Sequence, residues 1–175
     1  VIGSERLATW CNQNPSVVAT FLDHPYYVPL SSWANDVNHQ LPWHATAEVN
    51  ENITEYQKLL EFDGGSLKHI HVSGQPGVGK TRFILELCRT ATWSNHVIYI
   101  PQSSPQVLDL FEIAINDVNV RLVAIIDEVQ LEHLRLFRDS IDRADGRIRI
   151  ITIGQCHTSD SFRIPEKEVT PLDRG

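Results

Sequence analysis

Eight consecutive residues, Gly74-Gln75-Pro76-Gly77-Val78-Gly79-Lys80-Thr81, set glycines ahead of a lysine and a threonine. Glycine has no Cβ, so backbone N–H groups along such a loop approach phosphate oxygens closely. A helix starting behind the loop adds unsatisfied donors and the positive end of its dipole. In that layout Lys80 reaches the β- and γ-phosphates of a nucleotide, and the Thr81 hydroxyl sits on Mg²⁺. The cradle is therefore expected to run from Gly74 to Thr81, with Arg82 as its last member. A second stretch, Arg121-Leu122-Val123-Ala124-Ile125-Ile126-Asp127-Glu128, is an apolar run that ends in two carboxylates. Asp127 suits the Mg²⁺ shell beside Thr81, and Glu128 suits orienting or deprotonating an attacking water. Each stretch alone has a plainer reading, a glycine-rich turn or a strand ending in a solvated acidic turn. Their co-occurrence favours the chemistry.

Such residues need elements to position them. Lys68 to Ser73 reads as a strand entering the glycine loop, and Arg82 to Cys88 as a helix leaving it. The run ending at Ile126 has the continuous apolar character of a strand buried on both faces of a parallel sheet. Two acids at its carboxyl end then lie at the edge where open α/β sheets bind ligands. Between these stretches come a strand over His96 to Ile100 and a helix opening at Pro105, capped by Ser104. That helix has Val107, Leu108, Phe111, Ala114 and Ile115 on its apolar face. Afterwards comes a helix with Leu131, Leu134, Phe137 and Ile141 inward, stopped by Asp145-Gly146, and then a strand from Arg147 to Gly154. Strands alternating with helices predict an α/β fold, a three-layer parallel sheet with helices on both faces. An amphipathic helix over Glu48 to Phe62 precedes it, with Val49, Ile53, Tyr56, Leu59 and Leu60 recurring at helical spacing.

The core is thus expected over 48–175, preceded over 1–47 by a small helical and irregular connector. Helices are expected there at Ser4 to Trp10 and Val17 to Leu22, with Pro25, Pro29 and Pro42 breaking the remainder. Trp10, Trp33 and Trp43 all fall in this connector, where aromatic anchors more often pack against a neighbouring domain than bind a ligand.

The pairing of Gly74 to Thr81 with Leu122 to Glu128 resembles the Walker A and Walker B motifs of the P-loop NTPases. The Asp-Glu pair resembles the branch with an additional catalytic glutamate, which includes the AAA+ and STAND-type ATPases. The resemblance spans Lys68 to Asp173. It implies ATP or ADP with Mg²⁺, ATP hydrolysis, and a nucleotide-driven motor or switch module within a larger polypeptide. The other implied reading is a slow-turnover STAND-type scaffold that assembles and activates an effector, as in bacterial defence or signalling. Homo-oligomers and flanking domains are the partners it implies. It also places the strand from Arg147 to Gly154 between the two motif strands, with a polar sensor at its end: Gln155, Thr152 or His157. A Gly-Arg pair that often opens the preceding helix is absent, so no adenine contact is carried over. No arginine occurs between Ile150 and Phe162, where STAND proteins often have one. Arg138, Arg143, Arg147 and Arg163 are candidate trans-acting fingers, though each is more simply a surface arginine. Ile164 to Asp173 resembles the exit towards a lid, so the fragment is expected to bind Mg-nucleotide and hydrolyse it poorly.

Composition agrees. The chain has 175 residues, 42% of them hydrophobic and 21% charged, which suits one domain with a real core. Its net charge of −7 does not indicate a nucleic-acid partner. The Asn-Lys-x-Asp signature of guanine-specific proteins is lacking, leaving ATP as the default. Cys11, Cys88 and Cys156 are scattered, which fits a reducing, cytoplasmic setting. No segment approaches about 18 apolar residues, so no membrane partner is expected. His69 and His71 share a strand face, which a sheet edge explains better than zinc. A chain that opens on Val1 and contains no methionine reads as a piece of a longer polypeptide.

Overall fold

The computed structural model describes residues 28–30, 33–34, 43, 45–74, 76–102, 107–118, 120–154 and 167–169. The expected helices near residues 4–10 and 17–22, together with Trp10, Ser104 and Pro105, lie outside them. Six strands form one sheet: β1 (Val28–Pro29), β2 (His69–Val72), β3 (Val97–Ile100), β4 (Leu122–Ile126), β5 (Ile148–Ile153) and β6 (Lys167–Val169). Their order is β1-β3-β4-β5-β2-β6. All neighbours are parallel except β1, which runs antiparallel to β3 at the edge. β5 lies between the two motif strands, as the resemblance implied.

Among the described residues the α-helices that cover the sheet are α1 (Ala47–Leu59), α2 (Lys80–Arg89), α3 (Val107–Asn116) and α4 (Leu131–Arg143). Because strand side chains alternate between faces, the buried residues divide into two clusters. Ile98, Ala124, Ile126, Ile148 and Ile150 pack with Val107, Leu110, Phe111, Leu134 and Phe137 of α3 and α4. Val97, Val123, Ile125, Ile151 and Ile153 pack with Val49, Ile53, Phe83, Ile84 and Leu87 of α1 and α2. The three layers follow directly from that alternation. α1 starts where Thr46 accepts a bond from the Val49 N–H. α4 is stopped by Asp145 and Gly146, both in the left-handed region (φ 47° and 75°).

Two findings depart from the sequence reading. The connector contributes β1 to the sheet, with Val28 opposite Tyr99. Two residues, one of them proline, carry no strand periodicity. The open backbone edge of β3 decides their conformation. Second, β2 is no edge strand, since β5 and β6 flank it. His69 and His71 are buried, and each ring has a nitrogen beside the Thr152 hydroxyl, at 2.9 Å and 2.8 Å. One hydroxyl proton cannot serve two acceptors, so at least one imidazole donates to Thr152.

Candidate functional site

In a parallel sheet the carboxyl ends of β2, β3, β4 and β5 emerge at one edge, and three backbone bonds tie them together there. Asp127 N donates to Ile100 O (2.9 Å), Gly154 N to Val72 O (3.1 Å) and Val129 N to Ile153 O (3.3 Å). Above this edge opens a cleft of ≈ 600 Å³, lined by Pro76, Lys80, Thr81, Asp127, Glu128 and the end of β5 at Ile153 and Gly154. Residues that lie far apart in sequence meet in it because β5 spaces the motif strands.

The loop is shaped by its glycines. Gly77 and Gly79 have φ of 82° and 92°, and an added Cβ at either would meet nothing within 4 Å. The backbone turn, rather than crowding, therefore requires glycine. Gly79 is the N-cap of α2, which places Lys80 and Thr81 in its first turn, at the positive end of the helix dipole. The Lys80 ammonium donates to Gly74 O at 2.9 Å, spanning the loop it closes. Pro76 is exposed and Val78 half-buried. Gln75 lies outside the described residues. The Arg82 side chain turns along α2 to Glu86 (2.7 Å) and lies over the Trp43 ring, so it does not line the cleft.

Asp127 accepts three hydrogen bonds at the mouth. Its Oδ1 accepts from the Glu128 N–H (2.9 Å), and its Oδ2 accepts from the hydroxyls of Tyr99 (2.8 Å) and Thr81 (3.3 Å). Burial, then the negative charge of Asp127, pushes the Tyr99 phenol above its ordinary pKa, so it remains a donor. Glu128 is exposed and holds a left-handed backbone with φ 48°, a strained conformation for a non-glycine residue. Its amide bond to Asp127 secures that turn and leaves the carboxylate at the cleft.

The oxygen donor set suits Mg²⁺. A hydroxyl and a carboxylate in bonding contact beside an open cleft are hard oxygen donors that would hold the ion and leave room for phosphate and water. No trio of His, Cys, Asp or Glu forms an all-protein metal cage among the described residues.

Of the sensor candidates, Thr152 is committed to His69 and His71 on the α3–α4 face, while Gln155 and His157 lie outside the described residues. Among the candidate finger arginines, Arg147 donates to four carbonyls, those of Ala114, Ile115, Asp117 and Val120, and so closes the end of α3. Arg143 makes a two-pronged pair with Glu112. Arg138 is exposed, and Arg163 lies outside the described residues. Tyr99 escaped the sequence reading, its only signal there being a polar ring in an apolar strand.

No family model matches the chain, and no curated protein matches it. Among solved structures, C. elegans PCH-2 is similar, with 14% identity, a TM-score of 0.52, and 74% of this chain covered. The likeness is one of fold. Only 43% of PCH-2 is covered, so this chain corresponds to less than half of that protein. A Rhizobiales Trip13 structure is also similar, at 17% identity and a TM-score of 0.42, covering 91% of this chain and 60% of that one.

Proposed function

We propose that the chain is the ATP-binding and ATP-hydrolysing module of a nucleotide-driven motor or switch of the AAA+ kind. One observation carries this reading: Thr81 and Asp127, 46 residues apart, are in hydrogen-bonding contact at the mouth of the cleft that Lys80 and Glu128 also line. The strand order and the fold shared with PCH-2 support it. The loop amides and the Lys80 ammonium would hold the phosphates, and Lys80 would exchange its bond to Gly74 O for phosphate oxygen. Thr81 and Asp127 would hold Mg²⁺, whose charge counters the negative charge developing on the phosphoryl oxygens. Glu128 would take a proton from the attacking water as its oxygen bonds to the γ-phosphorus and the bond to the β–γ bridging oxygen breaks, giving ADP and phosphate. A cytoplasmic setting and assembly with further copies or flanking domains belong to the same proposal. Mass measurement with and without nucleotide reads out the assembly.

Glu128→Gln tests the reading. In a form of the protein that turns ATP over, steady-state phosphate release should fall by about 10²–10⁴-fold, the usual share of general-base catalysis. ATP binding should persist. Unchanged turnover would remove Glu128 from the mechanism.

A further inference from the structure

Asp127 can serve a cation only if its carboxylate is held in one orientation, and the Asp χ2 torsion by itself is broad. Three donors restrict it, and one of them, the Tyr99 hydroxyl, belongs to neither nucleotide motif. Tyr99 is anchored from the other side by the connector. Trp33, 2% exposed, stacks flat on the Tyr99 ring, with centroids 4.4 Å apart and planes 6° from parallel. The backbone of Tyr99 also pairs with Val28 in β1 and with Ile125 in β4, the strand that leads to Asp127. A contact chain thus runs from the connector through one rigid aromatic ring to the carboxylate.

We infer that Tyr99 is a positioning residue for the cation held by Asp127, and that the Trp33 segment tunes the affinity of the site for Mg²⁺ through it. This rests on the Mg-nucleotide reading of the cleft. A rigid phenol reaching across from β3 fills part of the Oδ2 hydrogen-bonding capacity and aims the remainder at the cleft. Through Asp127 Oδ1 it also steadies the Glu128 turn. Loss of the hydroxyl leaves phosphate binding by the glycine loop intact and frees the carboxylate to rotate. Partners of this kind, one shell behind a metal ligand, typically change metal affinity by about 10–100-fold. Removing the indole should act in the same direction, since an unsupported ring holds its hydroxyl less well.

The test uses the full 175-residue chain with Mg²⁺ and ADP as probes. ADP affinity is measured in EDTA, and then the Mg²⁺ concentration giving half of the metal-dependent gain in affinity is determined. Tyr99→Phe keeps the ring and should leave ADP affinity in EDTA within twofold while raising the Mg²⁺ midpoint about tenfold or more. A Mg²⁺ midpoint within twofold of wild type would overturn the role of Tyr99. Trp33→Leu should raise the midpoint too, and add little in a Tyr99→Phe background, because both act through one hydroxyl. Equal shifts in the two backgrounds would overturn the route through Tyr99. If Trp33→Leu fails to fold, Trp33→Phe supplies the same comparison. Failure of the wild type to bind ADP would overturn the nucleotide reading itself. Wild-type binding with an unmoved midpoint in Tyr99→Phe would overturn this inference alone.

Discussion

His69 shows how a single buried side chain couples stability to pH. Burial lowers its pKa to about 3, with the positive charge of His71 and of Arg138 acting in the same direction. The unfolded chain takes up this proton near the ordinary value of about 6.5. The folded pKa lies below the unfolded one, so under mildly acidic conditions the unfolded state holds more protons and stability falls as pH falls. At about 1.4 kcal/mol per unit, moving from about pH 6.5 to 5 should remove about 2 kcal/mol through this group. Urea unfolding at both pH values would show it. His69→Asn, which keeps a polar partner for Thr152, should flatten the decline. An equal decline in both proteins would count against a neutral, buried His69. Lys80, Thr81, Asp127 and Glu128 were legible in the sequence because each belongs to a contiguous pattern whose chemistry constrains spacing. Tyr99 and the His69–Thr152–His71 cluster were not, because their contacts exist only once strand order is known.

At the scale of elements, the helices and inner strands could be read from periodicity, with ends shifting by a few residues where turns tighten. α1 ends at Leu59, before the expected Phe62, as Glu61 N bonds back to Lys58 O. Arg149 explains what secures that end. It is 3% exposed, and its guanidinium donates to the carbonyls of Leu60 (3.2 Å), Glu61 (2.8 Å) and Gly146, beside the Phe62 ring. A buried arginine bonded to carbonyls of both segments staples the end of α1 to the base of β5. Nothing in an alternating strand sequence marks it apart from a solvated arginine. Arg149→Leu strands several buried acceptors and should destabilise the fold by about 3 kcal/mol, with Arg149→Lys recovering only part. Chemical denaturation measures this. A change under about 0.5 kcal/mol would mean that the three carbonyls find other partners.

Across the whole molecule, the order β3-β4-β5-β2-β6 turns two distant motifs into one cleft, and the edge strand β1 brings the connector within reach of it. The sequence made the layered α/β architecture legible because buried parallel strands and amphipathic helices have distinct periods. The attachment of the connector depends instead on which edge of the sheet lies open. Everything proposed about function rests on the cleft binding nucleotide through its loop. Titration calorimetry with ADP and a non-hydrolysable ATP analogue, on the wild type and on Lys80→Ala, tests that most directly. Among the described residues lining the cleft Lys80 is the one lysine or arginine, so its removal should weaken nucleotide binding at least about tenfold while the fold persists. Equal affinity in the two proteins, or no binding by either, would contradict the account.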